Sequence, residues 1–126
     1  MADREYIKYR TFIYMENEHK IEIYNEDRIK KAEGDGLLEN IIYLDDDAFN
    51  KVVKELEPYN IKEWKDQYIN NQVLDGMEWE LSYNINGRKR TIFGMNDYPT
   101  NWKKVDEIIK DIADHYGVNK LLFEDE

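Results

Sequence analysis

The side chains that could carry chemistry are few and scattered. Ser82 is the only serine and His19 and His115 the only histidines, in a chain with no cysteine. A serine nucleophile needs a histidine within reach and a sharp, glycine-flanked turn to expose it. Neither surrounds Ser82, which falls on the polar side of an alternating segment. His19 falls in an expected turn, and His115 lies near a helix end, where a cation complements the dipole. The run Asp45-Asp46-Asp47 offers clustered oxygens to a hard cation, yet it lacks the alternating ligand spacing and the glycine of a calcium loop. Capping of the helix that follows explains it better. Gly34-Asp35-Gly36 lacks the lysine of a phosphate-binding loop and reads as a turn. No catalytic residue, metal site or cofactor follows from this set.

Two groups remain as candidate sites. Asp75, Asn96, Asp97 and Tyr98 lie on two loops that flank one hairpin, beside a helix N-terminus able to receive an anion. Asp75 and Asp97 would form an acid/base pair if folding brought them close. The bland alternative is that Asp75-Gly76 and Asn96-Asp97 are turns, for which their composition is well suited. The second group is aromatic. Ten tyrosines and three tryptophans supply rigid rings of the kind enriched at interface hot spots. Tyr9, Trp79, Tyr83, Trp102 and Tyr116 fall on inward faces, so about half of the set fills the core. Tyr6, Tyr14, Tyr24 and Tyr98 are less accounted for, and Tyr24 and Tyr98 are the binding candidates drawn from them.

Tyr6 to Met15 alternates with Ile7, Tyr9, Thr11, Ile13 and Met15 on one parity, while the other mixes Lys8 and Arg10 with aromatics. Glu16 to His19 reads as a turn, and Lys20 to Tyr24 resumes the alternation, which predicts an antiparallel hairpin. Leu37 to Leu44 suits a third strand. Asp45 to Asp47 then precede Phe49, Val52, Val53 and Leu56 on one helical face, giving a helix from about Asp46 to Glu57 closed by Pro58. Ile61, Trp64 and Tyr68 fit either a short helix or a packed loop anchored by the indole.

The clearest strand runs from Met77 to Ile85, with Met77, Trp79, Leu81, Tyr83 and Ile85 on one side. Asn86-Gly87 follows at once and predicts a two-residue type I′ hairpin, because both central positions of that turn need positive φ. The register then sets Ile85 opposite Arg88, Leu81 opposite Ile92 and Trp79 opposite Gly94, so that the missing side chain of Gly94 leaves room for the indole. Trp102, Val105, Ile108, Ile109, Ile112, Ala113 and Tyr116 describe an amphipathic helix, with Gly117 as its terminator. Val118 to Phe123 could dock as a short strand.

Hairpin, connection and helix occur in both halves. Either an internal ββα-ββα duplication or two unrelated amphipathic helices accounts for that echo. The expectation is one α+β domain over residues 1–126, an antiparallel sheet of about four to six strands with two helices packed on one face.

Charge narrows the function classes. Acids outnumber bases 28 to 18, a formal net charge of -10, and they are spread through both halves. Such a surface repels phosphate backbones and anionic headgroups, which disfavours direct nucleic-acid or membrane partners. The chain shows no apolar stretch long enough to span a bilayer and no signal-like N-terminus, so a cytoplasmic protein is expected.

Trp64, Val73-Leu-Asp-Gly-Met-Glu-Trp79, Asn86-Gly87 and Gly94-Met-Asn-Asp-Tyr-Pro-Thr-Asn-Trp102 together resemble a pattern recurring in small, uncharacterised bacterial domains from low-GC organisms. The resemblance covers the second half alone and implies an intact small domain; it carries no activity. The leading expectation is a non-enzymatic protein-binding module, an inhibitor of toxin-immunity or phage anti-defence type acting on a basic partner surface. The alternative is a small-molecule-binding domain or enzyme with its site at the 75–76 and 96–98 loops.

Overall fold

The structure, a computed structural model, describes residues 4–13, 18–26, 39–70 and 76–116. Its strands are β1 (Tyr6–Ile13), β2 (Glu18–Asn25), β3 (Glu39–Leu44), β4 (Gln67–Ile69), β5 (Met77–Ile85) and β6 (Arg88–Met95). Helix α1 (Asp46–Leu56) follows β3, and α2 (Trp102–Tyr116) follows β6. Two single-turn 3₁₀ segments, Glu57–Tyr59 and Ile61–Glu63, separate α1 from β4. Gly34 to Gly36, Tyr14, Asp75, Gly117 and Val118 to Phe123 lie outside the described residues.

The strands form one six-stranded sheet in the order β3-β2-β1-β5-β6-β4. The two hairpins β1–β2 and β5–β6 are antiparallel and meet through the antiparallel pair β1–β5. The class is α+β as expected, but the sheet is mixed: β3 runs parallel to β2, and β4 runs parallel to β6. The reason is connection length. Parallel neighbours need a crossover of about a dozen residues, which the segment between Asn25 and Glu39 provides. Residues around Gln67 to Ile69 form a three-residue edge strand rather than the end of a second helix, and β2 begins at Glu18, inside the expected turn. The outer strands also depart from a simple repeat, since β3 follows its hairpin whereas β4 precedes its own.

Alternation puts Ile7, Tyr9, Ile21, Ile23, Ile42, Leu44, Trp79, Leu81, Tyr83 and Ile92 on one side of the sheet, all buried. They form a single core with Phe49, Val52 and Leu56 of α1 and Val105, Ile109, Ile112 and Ala113 of α2. Full burial of a side chain such as Leu81 or Ile109 is worth about 1.5–3 kcal/mol, so this side supplies most of the driving force. α1 starts where the Asp45 carboxylate accepts from the Ala48 N–H at 2.9 Å, with Asp46 and Asp47 in its first turn. That arrangement is the capping expected of the triple aspartate.

The second hairpin has the expected register, Ile85 opposite Arg88, Leu81 opposite Ile92 and Trp79 opposite Gly94. Asn86 at φ 52° and Gly87 at φ 81° supply the two left-handed residues that the turn requires. A Cβ on Gly94 would sit 2.0 Å from Trp79 Nε1, so the indole occupies the space that glycine leaves. No helix among the described residues is long and apolar enough to cross a membrane.

Candidate functional site

Both helices share one side of the sheet, so the residues of the opposite parity form a second face that no described helix covers. Its surface is organised in rows across the strands. Tyr43, Tyr24 and Tyr6 stand side by side on β3, β2 and β1. Tyr24 stacks on Tyr43 with ring centroids 5.7 Å apart and an interplanar angle of 23°. The Arg4 guanidinium lies 4.3 Å above the Tyr24 ring, and Lys8 Nζ lies 4.6 Å from the Tyr6 centroid. Arg4 is held there by an ion pair with Glu26 and by Asn84 Nδ2, which donates to the Arg4 carbonyl at 2.9 Å.

The next rows are charged. Arg10 bridges Glu18 at 3.3 Å and Glu80 at 3.2 Å, joining β1 to both of its neighbours. These exposed pairs fix register more than they stabilise. Toward β4 the face turns apolar: Phe12 pairs across Glu78 to Met95, and Met95 pairs with Ile69. Phe93 stands one row in, opposite Glu80. Ile41 at one sheet edge and Ile69 at the other are 37% and 43% exposed. Sequence reasoning missed this apolar corner. Its signal was present as large apolar residues, Phe12, Ile41, Phe93 and Met95, standing on the parity otherwise given to polar side chains.

Of the residues singled out from sequence, Tyr24 belongs to this face but is only 9% exposed, shielded by Arg4 and Tyr43. Its hydroxyl donates to Glu22 at 2.6 Å, and burial, followed by that bond, pushes its pKa above the usual tyrosine value. Tyr98 lies elsewhere. At 39% exposed it closes the end of a ring cluster on the helix side, stacked on Trp79 at 6.5 Å and tilted against Trp102 at 4.6 Å. Burial against those rings, with the Asp97 charge beside it, raises its pKa.

Asn96 and Asp97 serve backbone structure. Asn96, left-handed at φ 60°, accepts the Met77 N–H on Oδ1 at 2.9 Å and returns its own N–H to the Met77 carbonyl. The Asp97 carbonyl receives Trp79 Nε1 at 3.0 Å, while its carboxylate receives the Tyr98 N–H. Asp75, and with it the acid/base pair envisaged from sequence, lies outside the described residues. Among the described residues no cluster of three or more metal-ligating side chains occurs.

One buried polar contact crosses the helix side: the Tyr9 hydroxyl donates to Asp106 at 2.5 Å, and Lys110 pairs with the same carboxylate at 3.3 Å. Desolvation, reinforced by that bond, drives the Tyr9 pKa far upward, so the phenol stays protonated and acts as a structural donor. No protein-family model matches the chain, and no curated protein or solved structure matches it.

Proposed function

We propose that this chain is a non-enzymatic protein-binding module, an inhibitor-type domain of the toxin-immunity or phage anti-defence kind, that meets a basic partner through the uncovered sheet face. The observation that carries this reading is the asymmetry of the sheet: one side is packed under two helices, and the other presents Tyr6, Phe12, Ile41, Tyr43, Ile69, Phe93 and Met95 among charged side chains. Aromatic and apolar residues ringed by polar ones are the composition of an interaction patch. The net charge of -10 supplies the long-range attraction toward a cationic surface, while the face supplies contact area and register. On this same face Glu18 and Glu80 pair with Arg10 and Glu22 accepts from Tyr24, while Glu78 can pair with a basic side chain of the partner.

The test is affinity capture from the native host, with the wild-type chain run beside Ile41→Asp and Ile69→Asp, which lie at opposite edges of the face, and Glu55→Gln on exposed α1 surface. A basic protein retained by wild type and Glu55→Gln but lost from either face variant supports the proposal. Its association rate should fall as salt shortens the Debye length below about 10 Å, with dissociation changing less. Recovery of no such protein, equal retention by all the variants, or a salt-independent association rate would overturn it.

A further inference from the structure

A cleft lies on the helix side, away from the face described above. Its volume is about 710 Å³, within the roughly 300–1,000 Å³ typical of small-molecule sites. Val53 and Leu56 of α1, Ile61 of the second 3₁₀ turn, and Tyr83 and Ile85 of β5 give it apolar walls. Local chain geometry makes the opening. Asn60, left-handed at φ 50°, reverses the chain between the two 3₁₀ turns, while the β5–β6 turn at Asn86 projects opposite it. Arg90 pins the two sides together, donating to the Lys62 carbonyl at 2.9 Å and to Asp66 at 2.5 Å.

The electrostatics of this cleft run against those of the chain. Among the described residues Lys62 and Arg88 line it with Glu57 as the one acid, in a protein that is strongly acidic. At the wall the Tyr83 hydroxyl is buried and makes no hydrogen bond of standard geometry. Its oxygen interacts with the Arg90 guanidinium and contributes to raising the Arg90 pKa, after the larger effect of the Asp66 bond. A guanidinium can only donate, so it leaves the phenolic proton without an acceptor. The cleft therefore combines an apolar body site, two cations and a donor in want of an acceptor.

We propose that this cleft binds a small organic carboxylate with an apolar body, the carboxylate between Lys62 and Arg88 and within reach of the Tyr83 hydroxyl. The site lies on the opposite side of the sheet from the protein-binding face, so the two proposals stand or fall separately. No covalent step is involved.

Amide chemical shifts of the isotope-labelled protein, followed during titration with naphthoate, neutral naphthamide and cationic naphthylmethylamine, test it directly. Naphthoate should saturate shifts at Ile61, Lys62, Ile85 and Arg88, and the two other probes should bind more weakly. Arg88→Ala should weaken naphthoate by about tenfold, as for loss of a charge-assisted contact. Lys62→Ala should act in the same direction. Tyr83→Phe should weaken it by a few-fold without altering the amide map of the core. Lys89→Ala, one residue along β6 and on the other side of the sheet, should change nothing. The proposal is overturned if no saturable shifts occur at these amides, if naphthamide binds as well as naphthoate, or if neither cation variant lowers the affinity.

Discussion

Both sides of the sheet carry aromatic rings, and they accommodate them in opposite ways. On the helix side rings pack on rings: Trp79, fully buried, lies 5.9 Å from Trp64, 6.1 Å from Tyr68 and 5.8 Å from Trp102. On the uncovered side rings pack beneath cations, with Arg4 and Lys8 lying over Tyr24 and Tyr6. Tyr24 reaches 9% exposure under Arg4 and against Tyr43, with no described helix above it. Burial of a tyrosine thus identifies a core position only when what covers it is known. A ring under other rings is held by excluded water and close packing, whereas a ring under a lysine or arginine is held by a mobile, partly hydrated lid.

The largest effect that would sharpen this contrast is removal of the central indole. Trp79→Ala should destabilise by about 3–5 kcal/mol, because the cavity opens among packed rings and the Asp97 carbonyl loses its donor. Chemical denaturation monitored by fluorescence of the remaining tryptophans measures it. A loss under about 1.5 kcal/mol, below the usual span for large-to-small core changes, would mean that the cluster collapses onto the gap and is not rigidly packed.

Next comes the phenol that crosses the helix side. Tyr9→Phe leaves the nearly buried Asp106 carboxylate with Lys110 but without its hydroxyl donor, and should cost about 1.5–3 kcal/mol. The same residue sets a pH signature. Its folded pKa is raised above the unfolded value, so its contribution is fully present below the unfolded tyrosine pKa of about 10 and is lost as pH climbs toward the folded pKa. Stability should therefore fall above about pH 10, by up to about 1.4 kcal/mol per pH unit for each such tyrosine. In Tyr9→Phe that alkaline slope should be shallower by one tyrosine. An unchanged slope would place the titration elsewhere, at Tyr24 or Tyr98, whose pKa values are also raised.

These positions also show what the sequence made legible. The β5–β6 hairpin could be read to the residue, because Asn86-Gly87 fixes the turn, alternation fixes the faces, and Gly94 opposite Trp79 makes sense only in that register. Helix α1 and its Asp45 cap were equally plain. Strand direction was not. Alternation states which side a residue faces and is silent on which strand lies beside it, so the parallel placement of β3 and β4 could come only from connection lengths. Three-residue β4 holds one inward side chain, Tyr68, too little for a period to register. The loop around Asn96 was ambiguous for a different reason. Asn and Asp are chosen both for reacting and for turning a chain, and here their oxygens bind the backbone.

A smaller effect tests the uncovered face. A double-mutant cycle of Arg4→Ala with Tyr24→Leu should give a coupling of about 0.5–1 kcal/mol, the range for a cation over a partly exposed ring. Coupling near zero would mean that Arg4 is held by Glu26 alone and merely lies above the ring.

The smallest expected effect is the one on which the functional reading depends. Ile69 is 43% exposed on an edge strand of three residues, paired only along Met95 of β6. Exchanging it for serine removes apolar area that already faces water, so Ile69→Ser should shift stability by no more than about 0.5 kcal/mol, as for surface changes that break no cap, core or network. Trp79→Ala cannot separate folding from binding, because it disturbs both; Ile69→Ser can. With the fold intact, loss of partner retention in the serine variant would locate binding energy in the apolar corner of Phe12, Phe93, Met95 and Ile69. A drop in stability well beyond that range would instead show that Ile69 is covered in solution and that this corner is part of the packed structure.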